Sequence, residues 1–576
     1  MRVRLAKSAG FCMGVRRAME IVLAEAHKGD ECIFTLGPLI HNNQVLELLE
    51  SKGINTIEDI SDLENGTIVI RAHGIPPQQR KILKSSGLKI IDATCPRVAR
   101  VQSLIRYHTN RGYTAIIVGD MNHPEVIGLV GYSNNRSHVI TDATEVSNLP
   151  ATDRLFIVTQ TTQDEQNYQR IVTAIKKRFH DALIFDTICD ATRNRQKEVR
   201  TLAGEVDGVV VVGGYHSGNT RRLVQVSEAA GATTFHVETE KDLDKKRLSS
   251  METICVTAGA STPNWMIRSV VKEIAAIRSR RETFLGQWIK NTLKFLLLGN
   301  FLVALGAFFL SYAASILSNR GPDLIHPSLA FFYIYAMHVF NRFLDKGAST
   351  YNDPERATFY RNHRTFLILT GIVSIIGALA LSYHFGTSVF FAMVGLSILG
   401  IIYSIPIVPI RPRHGRYLKI KDIPGSKTLS EALAWGVVIT LLPLLESVRV
   451  EWTPSIISFL FVFSIVYIRS ALFDIFQVQG DLIVGVETLP ITLGEKKTLR
   501  LLKGIITITT MILLAAAFFN LVGPFSFLLL VCFLSLTFCL FIYEKRWLYP
   551  GTRLEYLVEG NLFLSGLLGL IWQILL

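Results

Sequence analysis

Residues 208–231 read GVVVVGGYHSGNTRRLVQVSEAAG. An unbroken β-branched run ends in a glycine-rich polar turn, and a helical pattern follows at once. Four consecutive valines leave neither face polar, so the strand is expected to be covered on both sides, as parallel strands are. The same grammar recurs in TIVIRAHG (67–74), TAIIVGDMNHPE (114–125), LFIVTQTT (155–162) and TICVTAGASTP (253–263). The expected class is an α/β protein with parallel sheets, in which ligands bind beyond the carboxyl ends of the strands. Those ends carry His73, His123, Glu125, Thr161, Ser217, Asn219 and Ser261, a set that reads as the lining of one polar site.

This grammar stops near Arg281. A chain of 576 residues is too long for one core, and from about residue 295 apolar segments follow one another almost to the C-terminus. The expected organisation is a soluble domain over 1–281, a linker over 282–294 and a membrane domain over 295–576. The start MRVRLAKSAG lacks the apolar stretch of a signal peptide, so the first domain is expected in the cytoplasm. A net charge of +13 raises nucleic acid as a partner. No basic stripe with interleaved aromatics is present, however, and much of the charge falls in loops of the membrane half, so nucleic-acid binding is not expected.

Seven cysteines in a cytoplasmic setting argue against a disulfide framework. Cys32 and Cys255 lie in strand-like runs, and Cys532 and Cys539 in an apolar span, the usual setting of a small buried residue. Cys12 (AGFCMGVRRAM, 9–19), Cys95 (DATCPRVAR, 92–100) and Cys189 (DTICDATRNRQ, 186–196) sit instead in turns, at intervals of 83 and 94 residues. Thiolates select zinc, copper(I) or iron–sulfur, and structural zinc uses closely spaced pairs, which these three lack. Three dispersed thiolates meeting at one point fit an iron–sulfur cluster with one metal corner left open. Ordinary buried cysteines are the competing reading, and a zinc or redox-sensor protein is a further one.

Together with GPLIHN (37–42), RAHGI (71–75), GDMNHPEVIG (119–128), VTQTT (158–162), SGNTRRL (217–223) and VTAGASTP (256–263), these words run in order across residues 1–280. In them the first half resembles the 4-hydroxy-3-methylbut-2-enyl diphosphate reductase family, called LytB or IspH. The resemblance implies three similar α/β lobes around a [4Fe–4S] cluster held by Cys12, Cys95 and Cys189, with the open iron facing the C4 hydroxyl of an allylic diphosphate. It implies reductive loss of that hydroxyl as water, giving isopentenyl and dimethylallyl diphosphate, with electrons from ferredoxin or flavodoxin.

The substrate contacts it implies are His41, His73, His123, Thr161, Ser217, Gly218, Asn219 and Ser261; Gly218 stands where some relatives have serine and loses one hydroxyl. Short donors suit a diphosphate, because charge-assisted hydrogen bonds are about twice as strong as neutral ones. Glu125 is the expected catalytic acid, protonating the departing hydroxide. Arg193 and Arg195, with Arg16 and Arg17, are expected on the surface, attracting an acidic electron donor or simply solvated.

The second half shows apolar segments at about 295–316, 326–344, 365–384, 387–409, 429–446, 455–473, 501–522, 524–543 and 558–576. Most approach the length of about 20 residues that crosses a hydrocarbon core. About nine transmembrane helices are expected, with eight as the fallback, because His338, Asn341 and Arg342 interrupt the second. With residue 281 cytoplasmic, Arg356, Arg361, Arg364, Arg411, Lys427, Lys496, Arg500, Lys545 and Arg553 fall on the cytoplasmic side, against little beyond Arg320 and Arg449 opposite. That is the positive-inside asymmetry, and it implies a multi-pass inner (cytoplasmic) membrane protein bathed in lipid.

Polar residues at membrane depth are costly and mark function. They gather on the same side as Asn341, Arg342, Asp345, Asn352, Asp353, Asp474 and Asp481. YSIP (403–406), LKIKDIPGSK (418–427) and DIFQVQGDLIVGVETLP (474–490) resemble the UbiA superfamily of all-α intramembrane prenyltransferases. That resemblance implies Mg²⁺ on aspartates, gripping a prenyl diphosphate. Arg342 and Ser349 stand where the first motif has carboxylates, and Gln477 where the second does, leaving Asn341, Asp345, Asp474 and Asp481 as the candidate site. Lys419 and Lys421 either touch diphosphate or sit at the interface. The alternative for this half is a non-catalytic anchor that binds prenyl lipid.

Overall fold

The computed structural model describes residues 2–28, 32–60, 63, 65–152, 154–277, 284–344, 353–411, 416–420, 423, 425–447, 450–484, 488–545, 547, 548 and 551–575. Asp345, Ser349, Asn352, Lys421 and Arg449 lie outside the described residues. The chain divides into two compact units, Met1–Arg281 and Glu282–Leu576.

The first unit contains the strands β1 (Arg2–Leu5), β2 (Ile33–Leu36), β3 (Ile54–Ile57), β4 (Thr67–Ile70), β5 (Lys89–Asp92), β6 (Thr114–Val118), β7 (Ser137–Ile140), β8 (Leu155–Thr159), β9 (Leu183–Ile184), β10 (Gly208–Val212), β11 (Thr233–Val237) and β12 (Thr253–Ala258). They make three four-stranded sheets, ordered β3-β2-β4-β5, β7-β6-β8-β9 and β11-β10-β12-β1, and every pairing is parallel.

The three orders are one topology, with the second strand of each lobe at one edge, then its first, third and fourth. In the last lobe the fourth strand is β1, from the opposite end of the domain, paired with β12 from Arg2↔Thr253 to Leu5↔Val256. Strands β4, β8 and β10 are buried along their whole length, as their unbroken apolar runs require. Leu223 and Val226 of helix Gly218–Ala229 and Ile267 and Val270 of helix Asn264–Ile277 close one core with Val209–Val212.

Strand ends and helix starts share one rim. The turn after β10 needs Gly213, whose φ is 146° and where a Cβ would come within 2.6 Å of Thr262 Oγ1 and 2.7 Å of Thr220 Oγ1.

Among its described residues the second unit is helical apart from a hairpin of Pro406–Arg411 with Arg416–Lys419. Each of the nine expected segments carries a helix, yet nine membrane crossings are not borne out. By length and composition six helices among the described residues can cross: Arg364–Phe385, Ser426–Leu445, Trp452–Val478, Glu495–Phe518, Phe525–Glu544 and Thr552–Leu575. A seventh arises if Leu285–Leu298 and Phe301–Leu317 count as one span, although they meet at 77°. The bend lies where Asn300 takes a left-handed backbone, a break that hydropathy cannot register. Thr387–Ile402 has only 16 residues, about 24 Å of helix. Ile325–Leu344 is diluted by His326, His338, Asn341 and Arg342.

The stretch expected as a linker carries most of the helix Phe284–Leu298. Helices approach closely through small residues: a Cβ on Gly566 would lie 2.5 Å from Phe309, and one on Gly306 2.7 Å from Leu562.

Candidate active site

The lobe topology repeats three positions. After the first strand of each lobe come His41, His123 and Ser217; after the third, His73, Thr161 and Ser261; after the fourth, Cys95, Cys189 and Cys12. All nine, with Glu125 and Asn219, line a single cavity of about 100 Å³.

Each cysteine opens a helix. Cys95 and Cys189 are the N-caps of Pro96–Thr109 and Asp190–Ala203, and Cys12 directly precedes Met13–Lys28. Helix N-termini carry unmatched N–H groups and a positive dipole end, so they favour anionic sulfur. Val15 N–H donates to Cys12 Sγ at 3.4 Å. Burial pushes the Cys95 thiol up; backbone N–H groups of Arg97 and Val98 oppose this, while the nearby Cys12 and Cys189 add to it. A Cβ on Gly14 would lie 2.6 Å from Cys95 Sγ and 3.9 Å from Cys12 Sγ, so this glycine keeps the space between two sulfurs clear. Three converging thiols, amides aimed at them and that cleared space fit a cluster with three protein ligands.

The imidazoles pack against one another in the same cavity, His73 and His123 edge to face and the other two pairs tilted. Ring centroids lie 4.9 Å apart for His41–His73, 5.4 Å for His73–His123 and 5.9 Å for His41–His123. By distance alone the trio could hold a metal ion. The Glu125 N–H, however, donates to Nδ1 of His123 at 3.1 Å. That leaves Nε2 protonated in the neutral ring, a donor rather than a ligand.

His41 Nε2, His73 Nδ1 and Asn219 Nδ2 are buried with no hydrogen-bond partner in the protein. Buried polar groups are seldom left so. Burial, then the neighbouring imidazoles and Arg71, holds His73 well below the ordinary imidazole range. Burial foremost and then His41 bring His123 down to about 4, against the opposing pull of Asp120. Burial, Arg71, Arg221 and His216 lower His41 in the same direction. The rings are therefore neutral at neutral pH until a polyanion arrives to favour their charged form.

Glu125 is 1% exposed. Its Oε1 accepts from Thr161 N at 2.7 Å and its Oε2 from Thr161 Oγ1 at 3.0 Å. Burial pushes its carboxyl up to about 7, and the two Thr161 bonds limit the rise. A carboxyl poised there can give or take a proton at neutral pH. Thr161, expected only as a substrate contact, is thus also what holds Glu125.

Other expected residues take varied places. Ser261 Oγ donates to the carbonyl of His41 at 3.0 Å, and Ser217 caps its helix by accepting from Thr220 N at 3.4 Å. Gly218 does not line the cavity; a Cβ there would stand 3.3 Å from the His123 ring, so its effect is on room for that imidazole.

The surface role expected for the arginines is corrected in part. Arg195 is 4% exposed, lines the cavity and donates to the carbonyl of Gly10. Arg193 is tied to Glu165 at 2.8 Å and Asp186 at 2.6 Å. Arg17 donates to the Thr94 carbonyl at 3.1 Å. Arg97, missed from sequence, lines the cavity and pairs with Asp190. Its place directly after the Cys95–Pro96 helix start was the available signal.

The second unit contains a cavity of about 540 Å³, lined by Asn341, Arg342, Lys427 and Gln477 among others. Asp474 and Asp481 do not line it. Asp474 is 1% exposed, with Oδ1 accepting from Lys427 Nζ at 2.6 Å and Oδ2 from Thr428 Oγ1 at 2.8 Å. Among the described residues the carboxylates that line the cavity are Glu431 and Glu559, both bound by Arg469, at 2.8 Å and at 2.6 and 3.0 Å. Ser470 Oγ donates to the other Glu431 oxygen at 2.7 Å. Of the four residues expected to hold magnesium, Asn341 lines this cavity, Asp474 and Asp481 do not, and Asp345 lies outside the described residues.

Residues 3–275 match the LytB protein family and residues 283–565 the UbiA prenyltransferase family. The chain is similar to the 4-hydroxy-3-methylbut-2-enyl diphosphate reductase of Alkaliphilus oremlandii (strain OhILAs), 41% identical over 276 residues, which cover 48% of this chain and 99% of that protein. It is similar to the enzyme of that name from Geobacter sp. (strain M21), 42% identical over 278 residues, 48% of this chain and 98% of that protein. The solved structure of the E-1-hydroxy-2-methyl-but-2-enyl-4-diphosphate reductase from Plasmodium falciparum is 32% identical, with a TM-score of 0.46, covering 47% of this chain and 87% of that one.

Proposed function

From the premise that the chain belongs to the LytB family through residues 3–275 and carries a UbiA prenyltransferase domain over 283–565, we propose that its first half reduces 4-hydroxy-3-methylbut-2-enyl diphosphate to isopentenyl and dimethylallyl diphosphate. The C4–O bond breaks, the oxygen leaves as water after gaining one proton, and the allyl fragment takes two electrons and a second proton. A [4Fe–4S] cluster on Cys12, Cys95 and Cys189 supplies the electrons when bound.

The protein's own groups do the rest. His41, His73, His123, Ser217, Asn219 and Ser261 offer short donors to the diphosphate. The polyanion favours protonated imidazoles, so binding brings charge to rings that are neutral beforehand. Glu125 gives its proton to the departing oxygen, and Thr161 holds the carboxyl in place throughout.

One observation carries this reading: three thiols, three imidazoles and a buried carboxyl from three lobes face one small cavity. Electrons come from ferredoxin or flavodoxin by family analogy. The second half is a multi-pass membrane domain, and its UbiA match favours prenyl transfer over an inert anchor. The loop charges support a reductase half on the cytoplasmic side of the inner membrane.

The test is turnover of the allylic diphosphate by the anaerobically purified full chain with reduced mediator. Glu125→Gln is expected to lose turnover while keeping the cluster spectrum. A cluster-loaded wild-type chain that leaves the diphosphate unchanged would sink the proposal.

A further inference from the structure

We propose that helix Phe284–Leu298, the first of the second unit, lies in the plane of the membrane interface with one face among the acyl chains of a phospholipid leaflet.

The helix is two-faced by sequence. Leu285, Trp288, Ile289 and Leu293 recur at the spacing that puts them on one side, and Gln287, Lys290, Asn291 and Lys294 take the other. The apolar four are between 43% and 65% exposed. A stripe of that size is unfavourable in water and marks an interaction surface.

The direction of the helix shows what that surface meets. Phe301–Leu317 runs beside Thr552–Leu575, one of the helices long enough to cross. A Cβ on Gly306 would meet Leu562, one on Gly566 would meet Phe309 and one on Gly569 would meet Tyr312, so their contacts advance together along both helices. Phe284–Leu298 turns away from that direction by 77°, just before the left-handed Asn300. A helix that leaves a crossing helix at nearly a right angle runs along the membrane surface rather than through it.

Its last turn is docked on the bundle. Leu297 and Leu298 are buried, and Lys294 pairs with Glu355 of helix Pro354–Asn362. Phe295, seven residues on from Trp288 and on the same side, has its ring 5.3 Å from Phe359 and 6.0 Å from Phe366. Phe366 lies in the first turn of the crossing helix Arg364–Phe385, where Phe366, Leu369, Val373 and Ile376 share one exposed apolar side. The stripe thus runs on into a side of the bundle that faces acyl chains, and this continuity selects a lipid leaflet over a soluble protein as its occupant. Lys290 is exposed on the opposite side, where an amine meets lipid phosphates while the apolar side sinks in. Trp288 has the amphipathic ring that favours this depth.

The test is tryptophan quenching on the full chain in phospholipid nanodiscs, with the Trp288 signal taken as the difference between the wild-type chain and Trp288→Phe. Lipid brominated near the headgroup end of the acyl chain should quench that signal about twofold more than lipid brominated near the methyl end, since such helices sink about 5–10 Å. Aqueous acrylamide should barely quench it. Ile289→Asp, which puts a charge in the stripe, should cut the bromolipid quenching by about half or more. A Trp288 signal quenched by acrylamide and not by bromolipid overturns the proposal, because the stripe is then in water. A signal that neither quencher reaches overturns it in favour of a second copy or another protein surface. Stronger quenching from the methyl end overturns it in favour of one bent span, and bromolipid quenching unchanged in Ile289→Asp overturns the role of the stripe.

Discussion

Around the first cavity, His41, His73 and Asn219 keep buried nitrogens without a protein partner, and Glu125 is held with its carboxyl raised to about 7. Around the second, Glu431 and Glu559 share Arg469, and Asp474 is taken by Lys427 and Thr428. The first wall has hydrogen-bonding capacity that only a ligand can satisfy. In the second, Glu431, Glu559 and Asp474 are matched by cations before any ligand arrives, as the cost of burying charge demands, while Asn341 Oδ1 and Ser404 Oγ are the buried polar atoms there without a hydrogen-bond partner. Acidic residues in a recognisable motif are therefore weak evidence for a metal, whereas unsatisfied donors in a closed cavity are strong evidence for an anion.

The largest break expected in this contrast comes from Cys95→Ser. It should bring both iron content and reductase turnover to background, measured on anaerobically purified chain, because only three thiolates are available to the cluster. Glu125→Gln should follow, with turnover down about 10²–10⁴-fold and iron unchanged. In the second half, Arg469→Ala leaves Glu431 and Glu559 buried without their counter-charge. It should destabilise that unit by about 3–5 kcal/mol, read as a lower thermal midpoint in detergent, while reductase turnover per cluster stays the same.

The smallest effect is on pH dependence. Glu125 is a donor only when protonated, and its raised carboxyl means turnover falls as pH rises through about 7, up to about tenfold per unit. Its contribution to stability has the same sign, full below the ordinary carboxylate range and lost as pH rises to about 7. A pH–rate profile in which Glu125→Gln keeps that limb would assign it to another group.

Strands β4, β6, β8, β10 and β12 were legible because unbroken runs such as TIVI and GVVV are those of strands buried on both faces, whereas short strands such as β3, β7 and β9 carry no such run. His73, His123, Glu125, Thr161, Ser217, Asn219 and Ser261 could be singled out because each follows such a run, whereas Cys12, Cys95 and Cys189 stood out by their turns and spacing and His41 only through the resemblance. What could not be read was how β1 completes the third lobe, since pairing between residues 2–5 and 253–256 leaves no local trace. That pairing brings Cys12 to the same lobe position as Cys95 and Cys189.

Arg195 looked like a surface residue because its type usually is one, whereas in the fold its buried guanidinium donates to the carbonyls of Gly10 and Ala191. The membrane spans were overcounted because hydropathy averages over Asn300 and over the polar turns of Ile325–Leu344. The pairing of Asp474 with Lys427, 47 residues away, was equally invisible.

The most direct test of the account is iron and acid-labile sulfide analysis with Mössbauer spectra on anaerobically purified full chain and on its Cys12→Ser, Cys95→Ser and Cys189→Ser variants. One [4Fe–4S] cluster per chain is expected, with one iron distinct from the others, and loss of the cluster in each variant. Zinc in its place, or a cluster that survives all three substitutions, would contradict it.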